Sequence, residues 1–128
     1  MLPKSALAAV AVAVAVAVAA PAVAQAPPDN FTCAGSEPFW SLAINRDGAR
    51  LDTPNEELLK GGGVFRGRIG AIANYRPLTF AWRGRNAAGA DLVALLMPQR
   101  CEQPSGDTAP YRVWISLPEG AALTGCCR

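Results

Sequence analysis

The 128-residue chain contains no histidine. That absence removes the commonest general base and the commonest metal ligand, so neither a Ser-His-Asp triad nor a Cys-His pair can be assembled. Lysine is nearly missing as well: Lys4 and Lys60 are the only two, and the remaining basic residues are arginines. No run of one charge occurs, and twelve basic against ten acidic residues leave a formal net charge of +2. Such a balance sets up no strong field toward nucleic acid or a membrane surface. Helical hydrophobic periodicity is almost absent beyond residue 30. No second carboxylate can be assigned by spacing to accompany Glu37, so a glycosidase-like acid pair cannot be built from motif alone.

What is present begins with "MLPKSALAAVAVAVAVAVAAPAVAQA". Lys4 precedes an uncharged Ala/Val run from Ala6 to Ala20, followed by Ala22-Val23-Ala24, the features of a secretory signal peptide. The run approaches the ~20 residues of a membrane span, but Pro21 and the small-residue pattern favour cleavage, placed after Ala24. No cysteine follows that point closely, which argues against a lipid anchor. The expected organisation is a signal peptide over 1–24, a flexible linker over 25–30 ("QAPPDN") and a single β domain over 31–128. The expected location is periplasmic or secreted, with no stable membrane anchor after cleavage.

From Phe31 onward, short apolar runs alternate with turn signals about every ten residues, the pattern of an all-β sandwich or barrel. In "PFWSLAIN", Trp40, Leu42 and Ile44 share one strand face, and Asp47-Gly48 supplies a hairpin turn into "ARLDT". "TPNEELLK" reads as one short helix, with Thr53 as N-cap, Pro54 at the first position and Glu56 completing a capping box. "VFRGRIGAIA" places Phe65, Ile69 and Ala71 on one face and Arg66 and Arg68 on the other. "PLTFAWRGR" sets Leu78, Phe80 and Trp82 inward and Arg83 outward. "ADLVALLMP" reads as a strand covered on both sides, and "CEQPSGDTAP" as a loop. "YRVWISLP" divides Tyr111, Val113 and Ile115 from Arg112, Trp114 and Ser116, and "AALTGCC" closes the series. The expected fold is all-β: a small antiparallel barrel or meander of about eight strands with one short helix, closure being the economical way to remove exposed edges. A two-sheet sandwich is the main alternative.

Four cysteines in a small exported chain read as two disulfides. Of the three pairings, one joining Cys126 to Cys127 would strain a tiny ring. Neighbouring strand residues point to opposite faces, so each of the other two pairings sends the adjacent thiols to separate partners. Both remain open on residues alone, with Cys101–Cys126 and Cys33–Cys127 preferred. A four-thiolate zinc site lacks the usual C-x-x-C spacing, and no metal or cofactor is expected.

The segments "CAGSEPFWSLAI" and "MPQRC…YRVWISL…LTGCC" together resemble an uncharacterised family of bacterial envelope proteins, often lipoproteins. Its members share an early G-x-E-P-F-W and a closing P-x-x-C…Y…L-x-G-C, and some are associated with META/HslJ-like domains linked to envelope stress. Gly35, Glu37, Pro38, Phe39, Trp40, Pro98, Cys101, Tyr111, Gly125 and Cys126 carry the resemblance, which spans most of the chain after the leader. It implies a periplasmic β domain and no established activity. It also supports pairing Cys101 with Cys126, the two cysteines that relatives commonly keep, and so leaves Cys33 to Cys127. Relatives commonly carry an acidic, Gly-Met-containing stretch where this chain has "EQPSGDTAP".

The candidate binding residues are Glu37, Arg66, Arg68, Arg83 and Trp114. Glu37, ahead of an apolar Pro-Phe-Trp run, reads as a partly buried carboxylate paired with an arginine or with backbone N–H groups. If the two "RGR" strands pair through a turn near Asn74, Arg66, Arg68, Arg83 and Arg85 gather on one outer face suited to phosphate, a glycan carboxylate or an acidic protein. The same arginines would otherwise serve as solvated charges that discourage edge aggregation. Trp114 could add an aromatic anchor to that surface. The expected function is a non-catalytic binding or envelope-stress module whose partner is an envelope protein, a glycan or an anionic small ligand, and not nucleic acid. The alternative is an inhibitor of a cell-wall lytic enzyme, because size, stapled β character and "SGDTAPY" resemble the inhibitors of c-type lysozyme. A small hydrolase centred on Glu37 is a third class.

Overall fold

The structure, a computed structural model, describes residues 9–17 and 28–128. Residues 9–17 form neither helix nor strand and are exposed. The rest of the expected signal peptide, its cut after Ala24 and the first half of the linker lie outside the described residues. Among the described residues, no helix is long and apolar enough to cross a membrane.

Eight antiparallel strands close into one barrel in chain order. They are β1 (Phe31–Gly35), β2 (Trp40–Ile44), β3 (Gly48–Asp52), β4 (Val64–Ala71), β5 (Phe80–Arg85), β6 (Asp91–Glu102), β7 (Thr108–Ser116) and β8 (Ala122–Cys127). The barrel is the expected architecture, and closure excludes the two-sheet sandwich. Alternation fills the interior: Phe31, Leu42, Leu51, Phe65, Trp82, Leu96, Val113 and Ile115 are all buried. Large inward side chains at this strand number leave a packed core rather than a channel.

The two ends of the domain meet where β1 pairs with β8, Cys33 opposite Cys127. Thr32 and Arg128 exchange both backbone hydrogen bonds (2.7 and 2.9 Å). The next facing pair, Cys33 and Cys127, is therefore of the close, non-hydrogen-bonded kind, and its disulfide spans a Cα separation of 4.0 Å inside the barrel. Cys126 points the other way. On β6 one extra residue between Pro98 and Cys101 shifts the register, so that Pro98 faces Tyr111 but Cys101 faces Ala109. This end of the β6–β7 hairpin brings Cys101 to Cys126, and the second disulfide forms with Ala109 in a small cluster separate from the main core. The pairing supported by the resemblance is thus the one present.

Two tryptophans sit where glycine leaves room. A Cβ on Gly35 or Gly125 would collide with the indole of Trp40. The early and closing motifs are in this way one packing unit. A Cβ on Gly84 would likewise meet the Trp82 ring.

Several local expectations are revised. The short helix is a single 3-10 turn, Glu56–Leu59, capped by the side chain of Asn55, which accepts from the Glu57 N–H. Thr53 lies too early to cap a turn that begins at Glu56; its hydroxyl accepts from the Asn55 N–H at 3.2 Å and donates to the Phe39 carbonyl at 2.6 Å. A second 3-10 turn, Pro118–Gly120, starts on Pro118. Leu78 is exposed rather than inward. Pro77 offers no ladder N–H, the Thr79 hydroxyl donates to the Pro77 carbonyl, and inward alternation begins at Phe80. Ala71, at the far end of β4, is exposed too, while Ile69 packs against the core. The β6 strand is covered on one face only, since a barrel has one interior, and Leu95 stands outside. Strand pairing continues through Cys101 and Glu102 to Thr108, so the expected ten-residue loop shrinks to 103–107. Asn86 is buried. Its amide donates to the carbonyls of Lys60 and Gly62 and accepts from the N–H groups of Ala88 and Ala90, pinning the glycine-rich loop to the β5–β6 turn.

The disulfides close loops with separations of 94 and 25 residues. Loop-closure entropy assigns them about 4.7 and about 3.5 kcal/mol respectively. In urea titrations, Cys33→Ala/Cys127→Ala is expected to cost more stability than Cys101→Ala/Cys126→Ala. The reverse order would mean that the outer staple, not the seam, limits unfolding.

Candidate functional site

The strands β4 and β5 are joined through the turn at Asn74, and their register sets Arg66 opposite Arg85, Gly67 opposite Gly84 and Arg68 opposite Arg83. Alternation sends Phe65, Ile69, Phe80 and Trp82 toward the core and the four arginines outward, all exposed. They surround a shallow groove of about 530 Å³ floored by the main chain of Gly67 and Gly84. The result is a ladder of two directly opposed arginine pairs.

Its electrostatics are unbalanced. Arg85 alone of the four is paired, its Nε donating to Asp91 Oδ1 at 2.7 Å across the β5–β6 ladder. Arg66, Arg68 and Arg83 have no carboxylate partner among the described residues. Like charges facing each other across an antiparallel pair are destabilising by roughly 0.2–1 kcal/mol. The chemistry available is that of a planar, permanently charged five-donor fork repeated four times, suited to holding anionic oxygens.

Glu37 and Trp114 lie elsewhere. Glu37 occupies the turn between β1 and β2, three strands round the barrel from the ladder. It is exposed, has a left-handed φ of 61°, precedes a cis bond to Pro38 and makes no ion pair among the described residues. The expected partial burial and arginine pairing are therefore not found. The turn projects past the end of the strands, and alternation directs Trp40 inward while Phe39 is left 69% exposed. Trp114 is 40% exposed on β7, facing Leu95 on β6 and Thr124 on β8. The β6 strand separates it from β5, so it does not line the arginine groove.

Asp91 is the member of the site that sequence reasoning missed. Its place at the mouth of the short β5–β6 hairpin, six residues after Arg85, was the available signal. Among the described residues no group of His, Cys, Asp and Glu could hold a metal ion. Comparisons with protein-family models, curated proteins and solved structures give no match to the chain.

Replacing Arg68 by Thr removes one like-charge pair and introduces a residue favoured on strands. The Arg68→Thr protein is expected to gain about 0.2–1 kcal/mol in chemical denaturation. Lost stability would instead show Arg68 to be a structural contact.

Proposed function

We propose that the protein is an exported, non-catalytic binding module of the bacterial periplasm, of the envelope family its motifs resemble. Its ligand is anionic and rests on Arg66, Arg68, Arg83 and Arg85. The observation that carries this reading is the facing of arginine against arginine, three of the four with no carboxylate partner among the described residues. A merely solvated face gains nothing from opposing like charges, whereas an anion laid between them removes the repulsion. Guanidinium groups supply donors but do not attack a substrate, which supports binding over catalysis. Two disulfides in so small a domain support an oxidising, exported setting.

The test is affinity capture from envelope extract with the oxidised protein and with Arg66→Glu/Arg68→Glu/Arg83→Glu, both verified as folded by circular dichroism. A species retained by the first and lost by the second is expected. Equal retention by both contradicts the assignment to this face. If the species captured equally were a cell-wall lytic enzyme, the inhibitor reading would replace it, with the hairpin tip at 103–107, which carries Asp107 and follows Glu102, as the contact.

A further inference from the structure

We infer that the arginine ladder reads spacing: it is built for a flexible chain of repeating phosphodiesters, the class of polyol-phosphate polymers, with one phosphate seated at each arginine pair. The inference rests on the anion-binding reading above and specifies its ligand. Two pairs, Arg66–Arg85 and Arg68–Arg83, are separated by two residues along each strand. At the rise of an extended strand that is about 6.5–7 Å, while the members of each pair face one another about 5 Å apart across the ladder. Each pair is a clamp for one anionic group, and the two clamps lie in line.

The span discriminates among anionic chains. Two strand residues advance six backbone bonds. Consecutive phosphorus atoms of a three-carbon polyol phosphate are likewise joined through six bonds, so an extended chain laid along the strands meets both clamps without strain. A glycan bearing one carboxylate per disaccharide spaces its charges by two pyranose rings, which overshoots the second clamp. A single small anion occupies one clamp and leaves the other pair repelling. Single-stranded nucleic acid has a similar phosphate spacing, but its binders add aromatic side chains on which bases stack. The outward residues of β4 and β5 offer none: beside the arginines stand Val64, Gly70 and Ala81, and Trp114 lies beyond β6. The Asp91 carboxylate engages one of the five donors of Arg85 and leaves the others available to the ligand.

Isothermal titration of the oxidised protein with glycerol 3-phosphate, an oligomer of glycerol phosphate and an oligothymidylate, at one ionic strength, tests the inference. The oligomer is expected to bind at least about tenfold tighter per phosphate than the monomer, the gain of a second clamp at high effective concentration. Arg68→Gln/Arg83→Gln removes one clamp and is expected to abolish that gain while leaving monomer binding at the other. Arg100→Gln/Arg128→Gln, off the groove, keeps it. Equal affinity per phosphate, or a gain that survives loss of one clamp, overturns the inference. So does oligothymidylate binding as tightly as the polyol phosphate, which would reassign the face to nucleic acid. If the triple charge reversal abolishes envelope capture but the glycerol phosphate oligomer fails to bind, the spacing assignment falls and the anion-binding reading stands.

Discussion

The alternation of side chains along β8 is the constraint on which the rest depends. Because Cys126 and Cys127 are adjacent, one thiol faces out and the other in, and each meets a different partner. The inner bond joins the first strand to the last at the only seam the chain does not close by a local hairpin. The outer bond ties β6 to β8 across β7. A domain with total stability of order 5–15 kcal/mol draws a substantial part of it from two such staples.

Closure does more than stabilise. In a barrel, strand number and stagger are linked, so register at one seam is shared with every other. A slip of one residue between β4 and β5 would send the arginines inward and Phe65 and Trp82 to solvent. The buried aromatics thus hold Arg66 against Arg85 and Arg68 against Arg83 despite their repulsion. Half-way round, the packing of Trp40 over Gly35 and Gly125 locks the closing seam from the same interior. The motif residues are therefore divided by role: Trp40 and its glycines serve the seam, while Phe39 and Glu37 stand exposed on the turn between them.

Much of this was legible in the residue pattern, because period-two alternation and short turns are local signals. The strand count, the inward set apart from Leu78 and Ala71 near the β4–β5 turn, and the arginine pairing all follow from them, the last because a single turn joins the two "RGR" segments. What was not legible depended on contacts distant in sequence. The Thr53 hydroxyl also donates to the distant Phe39 carbonyl while Asn55 takes the cap, and Asn86 found two carbonyls more than twenty residues upstream. The extra residue before Cys101 extended two strands into an expected loop. Glu37 was read from its apolar neighbours, but only the placement of its turn decides whether a carboxylate is buried.

Native-state hydrogen exchange at the Thr32 amide, which donates to the Arg128 carbonyl, tests the closed seam most directly. In the oxidised protein this amide is expected to exchange only by global opening, with the same free energy as the hydrogen-bonded amides of β5 to β7. Exchange orders of magnitude faster at Thr32, with those strands still protected, would show an open sheet and contradict a barrel whose closure fixes the register of the arginine ladder.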